Sequence, residues 1–182
     1  RKLPEYKNAP ILMLTAMSDR EYVDLAFVAG ATDYVTKPFD FLELRSRMSA
    51  AQRLVQERRI AQNNSERDAE TGERQKFALD EPIAIEGIER VLQYTEFDNY
   101  IMQLSQGRMF NTHAVAVKLL GTERLHSALS ANAFEEVLRD VALSLGNVTK
   151  KTRDVISYRG GGVFLVVRHG RFTGSEAQFE NA

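Results

Sequence analysis

The chain has 182 residues and a mass of 20.6 kDa, with 43% hydrophobic and 27% charged residues, which is room for one large or two small globular domains. Lys+Arg number 24 against 25 Asp+Glu, so the formal net charge is −1 and lacks the basic excess of a general nucleic-acid binder. Cysteine is absent, which excludes disulfide scaffolds, thiolate metal sites and cysteine nucleophiles.

No apolar run approaches membrane-spanning length and no signal-peptide pattern opens the chain, so a cytoplasmic address without membrane contact is expected. Arg1 in place of Met predicts an internal piece of a longer protein. After Pro10, the run Ile11-Leu12-Met13-Leu14 predicts a short buried strand. Ser18, with Glu21 three residues on, predicts a helix N-cap. Val23 and Phe27 share one face of that helix, and Gly30 stops it. Thr32–Thr36 predicts a second strand, broken by Lys37-Pro38, and Asp40 caps the next helix. That helix runs from Phe41 to about Arg67 without Gly or Pro. Leu44, Met48, Ala51 and Val55 form a weak heptad seam on it, open to a solvated connecting helix or a dimerising linker. Residues 63–76 are nearly all polar and predict a linker or mobile loop.

The pattern becomes globular again at Phe77. Ile85–Gln106 predicts a helix with Ile88, Val91, Leu92 and Thr95 on one face. Ala114–Leu120 predicts a strand buried on both faces. Phe134, Val137, Leu138, Val141 and Leu145 predict an amphipathic helix, ended by Gly146-Asn147. Val155–Tyr158 and Val163–Val167 flank Gly160-Gly161-Gly162, a hairpin with a glycine turn. His113, His126 and His169 include no i, i+4 pair, so no zinc site is expected. Neither a Gly-x-Ser-x-Gly elbow nor a Walker sequence occurs.

The block from Ala9 to Ala16, followed by Ala29-Gly-Ala-Thr-Asp-Tyr34-Val-Thr-Lys37-Pro38-Phe39, resembles the second half of a response-regulator receiver domain. The resemblance implies that Thr15 is the switch hydroxyl, Tyr34 the switch aromatic and Lys37 the lysine that pairs with a phosphoryl group. It also implies a cis bond before Pro38. A hydroxyl can hydrogen-bond a phosphoryl oxygen and an ammonium can pair with its charge, which is why these residue types recur at such an edge. The family's acceptor aspartate and acidic metal pair lie on earlier strands, outside this chain, so Mg2+ is expected only with that missing half and no cofactor is expected here. The implied partner is a sensor histidine kinase or phosphotransferase.

Tyr158-Arg159-Gly160-Gly161-Gly162-Val163-Phe164 resembles the signature hairpin of GGDEF diguanylate cyclase domains. Active members join two GTP molecules into cyclic di-GMP on carboxylate-held metal. The resemblance puts Gly162 and Val163 where the signature has acids, Lys118 and Leu120 where the strand has aspartates, and His126 and Ser127 where guanine is contacted. Lys151, Arg153 and Asp154 fall at the family's inhibitory Arg-x-x-Asp site. The expected architecture is α/β: residues 1–50 are the last two βα units of a flavodoxin-like receiver and 51–82 a linker helix and mobile loop. Residues 83–182 are an α+β, ferredoxin-like GGDEF domain lacking its last elements. The expected protein is a response regulator with a catalytically inactive output that binds or dimerises. It would be a homodimer with a protein partner for that output and no nucleic acid. An active diguanylate cyclase and a non-catalytic cyclic di-GMP or GTP sensor are the alternatives.

Overall fold

The computed structural model describes residue 6 and residues 8–71, 77–106 and 112–170. The chain divides into two compact units, Arg1–Gln75 with Asp98–Arg108, and Lys76–Phe97 with Met109–Ala182.

In the first unit, β1 (Leu12–Thr15), α1 (Arg20–Val28) and β2 (Asp33–Thr36) form a right-sized crossover: β1 and β2 pair in parallel with Thr15 opposite Thr36. Val23 and Phe27 bury one face of α1, as their spacing predicts. The N-cap is Asp19 rather than Ser18, and it makes no side-chain cap bond. The Gly30 stop is real, with φ +102° at that residue and its amide bonded to Phe27 O at 2.9 Å. Helix α2 (Phe41–Thr71) starts at Asp40, whose carboxylate accepts the Leu42 amide at 3.0 Å. It continues past Arg67 through Thr71, so most of the loop expected at 63–76 is helical instead: no Gly or Pro stops it before Gly72. Residues 72–76 lie outside the described residues.

Helix α3 (Tyr94–Gln106) is shorter than the helix expected from Ile85. Gly87 and Arg90 both have positive φ, at +78° and +65°, which breaks any helix there. Val91 forms a parallel bridge to Ile156 instead. From Asp98 onward α3 belongs to the first unit. There Tyr100 is fully buried edge-on to Phe27, ring centroids 5.5 Å apart, and Asn99 Nδ2 donates to Thr32 O at 2.9 Å.

The second unit holds β3 (Thr112–Lys118), α4 (Thr122–Ala128), α5 (Ala131–Thr149), β4 (Val155–Tyr158) and β5 (Val163–His169). Its antiparallel sheet has the order β3-β5-β4. The expected hairpin is there, with Tyr158 opposite Phe164. Strand β3 is not buried on both faces: it lies at the end of the three-strand order, and Ala114, Ala116 and Lys118 are exposed in alternation with the half-buried Val115 and Val117. Helix α5 runs through Gly146-Asn147 to Thr149. A glycine inside a helix is tolerated where the helix is packed, and Phe134, Leu138, Ala142 and Leu145 are all buried. They join Ile156, Tyr158, Phe164 and Val166 in one core.

Candidate functional site

Two strand ends carry the residues singled out by sequence. The first is the carboxyl edge of β1 and β2. The parallel register brings Thr15 and Thr36 level, and the Lys37 amide donates to Thr15 O at 2.7 Å. Thr15 and Lys37 therefore leave the same edge side by side, and the Lys37–Pro38 bond is cis. Tyr34 is buried, and its hydroxyl donates to Met17 O at 2.7 Å. The Met17 amide in turn donates to Thr15 Oγ1 at 3.0 Å. Burial pushes the Tyr34 phenol above its ordinary value, partly offset by the nearby Thr15 hydroxyl. The three residues predicted as a switch thus share one edge, with Thr15 and Tyr34 linked through the Met17 backbone. Lys37 is exposed there.

A partner pair that sequence reasoning missed stands behind this edge. Asp33, at the start of β2, is buried and binds Arg47 of α2 at 3.0 Å, while Glu43 approaches the same guanidinium at 3.7 Å. Burial raises the Asp33 carboxyl above its ordinary range, against the lowering effect of the Tyr34 amide and of Arg47. The signal was available in principle, as an acid opening a strand and a base on the following helix, but nothing in the linear pattern joins positions 14 apart.

The second site is the hairpin end. Gly160, Gly161 and Gly162 all have positive φ. A Cβ at Gly162 would collide with Thr122, and one at Gly160 with the main chain of Asp80, so close approach as well as conformation demands glycine at both. Lys118, at the end of β3, donates from Nζ to Gly161 O, and the Leu119 amide donates to Gly162 O at 2.8 Å. The buried Tyr158 hydroxyl accepts the Gly162 amide at 3.2 Å; burial raises its phenol too. Leu120 is 84% exposed.

His126 Nε2 meets Phe77 O at 2.9 Å, so this nitrogen carries the proton, and Ser127 Oγ donates to Glu123 O within α4. Asp154 is fully buried and binds Arg168 Nε at 2.9 Å, whereas Lys151 and Arg153 are exposed in the turn before β4. The inhibitory-site resemblance thus brings together one committed acid and two surface cations, and Arg168 is the partner that sequence reading did not supply. Sequence reading also missed α4, although Gly121-Thr122-Glu123 is a helix-start pattern.

A divalent cation does not fit the hairpin. Gly162 and Val163, where the resemblance expects acids, carry no side-chain oxygen, and the ammonium of Lys118 already occupies the turn carbonyl. Among the described residues, no three His, Asp or Glu side chains are grouped to hold a metal ion. Nor is any helix among them long and apolar enough to cross a membrane.

No protein-family model matches the chain. The transcriptional regulatory protein YvrH of Bacillus subtilis (strain 168) is 50% identical over 46 residues, which is 25% of this chain and 19% of YvrH. The transcriptional regulatory protein CseB of Streptomyces coelicolor is 43% identical over 53 residues, 29% of this chain and 23% of CseB. The response regulator ArlR of Staphylococcus aureus (strain Mu50 / ATCC 700699) is 30% identical over 115 residues, covering 58% of this chain and 49% of ArlR. The chain thus spans from about a fifth to about half the length of these curated relatives. Over part of its length, it is similar to bacterial response regulators.

Proposed function

We propose that the chain is part of a two-component response regulator whose output unit is a catalytically inactive, GGDEF-like domain. The observation that carries the regulator reading is the edge shared by Thr15, Tyr34 and Lys37, in a chain similar to ArlR. When an aspartyl phosphate forms on the preceding strands, Thr15 Oγ1 and the Lys37 ammonium bind its oxygens. Thr15 then exchanges its bond to the Met17 amide for one to the phosphoryl group, and the Met17 backbone passes that exchange to Tyr34. A histidine kinase or phosphotransferase is the donor, and Mg2+ belongs to the missing half of the site.

The output reading rests on the sheet order and the glycine turn. Lys118 reverses the local charge where metal chemistry needs carboxylates; a unit charge about 4 Å from a divalent ion is worth several kcal/mol even at an effective dielectric near 20. The unit therefore binds a partner rather than converting GTP. The α2 seam of Leu44, Met48, Ala51 and Val55 supplies the homodimer contact; Met48 is 52% exposed and its neighbour Phe41 74%.

The test uses the natural full-length protein. Beryllofluoride with magnesium shifts the Tyr34 ring resonances, and Thr15→Ala abolishes the shift; an unchanged Tyr34 signal refutes the regulator reading. Incubation with GTP and magnesium yields no cyclic di-GMP by chromatography, and product formation refutes the inactive output. A second reading, an output that contacts DNA, is favoured by the names of YvrH and CseB. Retention of a DNA library on the full-length protein at 0.15 M salt, about the physiological ionic strength, selects it over the first.

A further inference from the structure

We infer that residues 77–81 form a separable strap that seats on the glycine hairpin and α4, and that its release uncovers two hydrogen-bond donors and an aromatic face. The strap enters no strand ladder. It is closed on itself, with the Glu81 amide donating to Ala78 O at 3.0 Å and the Ala78 amide to Glu81 Oε2 at 3.2 Å. Its inward positions, Phe77 and Leu79, are half-buried, and Ala78, Asp80 and Glu81 face solvent.

Three independent contacts seat it. The Phe77 ring lies edge-on to His126 and tilted to Phe134, with centroids 5.8 Å away in both cases. Two strap carbonyls, two residues apart, accept from the body: Phe77 O from His126 Nε2 at 2.9 Å, and Leu79 O from the Gly161 amide at 2.7 Å. The main chain of Asp80 fills the space that a Cβ at Gly160 would need. The body thus receives a turn rather than an extended strand, through two main-chain carbonyls and the Phe77 ring.

Seating and release are distinct states because the strap's interactions are few and local, whereas Leu138 and Phe164 beneath it belong to a core that continues through Ala142, Leu145, Ile156 and Val166. With the strap seated, the Gly161 amide and His126 Nε2 are both occupied. Released, they point outward beside the Phe134 ring. The strap is also the first described segment after α2 in the chain, with residues 72–76 between them. This inference does not depend on the GGDEF resemblance.

Native-state amide exchange tests it. In Phe77→Ala, protection of the Gly161 amide falls roughly tenfold while the amides of Leu138 and Val166 keep theirs. In Gly160→Ala, the new methyl displaces Asp80 and the same selective loss appears. His126→Phe keeps a ring against Phe77 but removes the donor, and Gly161 protection falls by a smaller factor, roughly threefold. Unchanged Gly161 protection in both Phe77→Ala and Gly160→Ala overturns the strap. So does parallel loss at Gly161, Leu138 and Val166 in both variants, because the segment is then inseparable from the core.

Discussion

Strands β1 and β4 are each four residues long, Leu-Met-Leu-Thr and Val-Ile-Ser-Tyr, yet they live in different surroundings. All four positions of β4 are buried. In β1, Met13 and Leu14 are 40% and 44% exposed. The difference is the number of neighbours. Strand β4 pairs with β5, is bridged by Val91 on its other side and packs on α5, whereas β1 pairs with β2 alone among the described residues. Apolar character gives a strand the capacity to be buried, and partners decide whether that capacity is used. The same contrast governs the two lysines at strand ends. Lys37 stands exposed at an edge where an anion can reach it, while Lys118 is tied to the carbonyl of Gly161.

The largest effect expected from this comparison is in β4. Ile156→Ala removes a fully buried side chain from the second core and costs about 2–5 kcal/mol. Leu14→Ala on β1 costs less than about 1 kcal/mol, because much of that side chain is already in water. Denaturant unfolding of both variants reads the two numbers. Equal losses would mean that β1 is covered in solution as thoroughly as β4.

The sequence made most elements of the first unit legible, but not the exposure of Met13 and Leu14 in β1, the Asp19 cap or the run of α2 to Thr71. The apolar run at Ile11, the Val23–Phe27 face, Gly30, Lys37-Pro38 and Asp40 each act locally, so a linear reading finds them. The Thr15–Tyr34–Lys37 edge came from the resemblance to a receiver domain. The second unit was harder because its decisive features are contacts distant in sequence. Arg90 adopts a left-handed conformation in a stretch whose periodicity is helical, and its side chain reaches Asp154 O at 3.0 Å, 64 residues away. Lys118 finds its carbonyl on the far side of a hairpin 43 residues on. Gly146 reads as a helix stop but sits inside the last turn of a packed helix, where the buried Leu145 and Thr149 outweigh its propensity. The hairpin, set by three consecutive glycines, and the amphipathic helix α5 were as plain as the elements of the first unit.

Next in size is the Asp33–Arg47 pair, the buried charge of the first unit. Arg47→Leu leaves the carboxylate without its cation and costs about 2 kcal/mol at neutral pH. Asp33 has a folded-state pKa raised above 3.8, so its protonated form favours the fold. Its contribution is greatest below the unfolded value and is lost as pH rises through the raised folded value. Without Arg47 the raising effect of burial stands less opposed, so the deficit of Arg47→Leu shrinks as pH falls from 7 toward 4. Unfolding curves across that range give the slope, and a deficit that grows on acidification would contradict the sign.

Tyr34→Phe probes the switch edge without emptying the core. It deletes the hydroxyl bonded to Met17 O and costs about 1 kcal/mol. The folded phenol titrates above its ordinary value of 10.0, so the native tyrosine contributes stability that is present below pH 10 and lost as pH rises through its folded value. The variant lacks that part of the alkaline loss. Its stability difference from the native chain therefore narrows above pH 10, which thermal unfolding in alkaline buffers measures.

The smallest effects come from the helix starts, where the two units again differ. At the head of α5, Ser130 Oγ accepts the Ala133 amide at 3.3 Å, a cap that satisfies one of the orphan donors of the first turn. At the head of α1, Asp19 stands at the N-cap with no such bond. Ser130→Ala is expected to cost about 0.5–1 kcal/mol. Asp19→Ala removes no hydrogen bond and only a charge near the helix start, an effect of about 0.3 kcal/mol at low salt that fades as salt is added. Chemical denaturation at low and high ionic strength separates the two: the Ser130 deficit persists in salt because a hydrogen bond is lost, and the Asp19 deficit does not. A salt-resistant loss at Asp19 would place a cap bond there, and the two helix starts would then be alike.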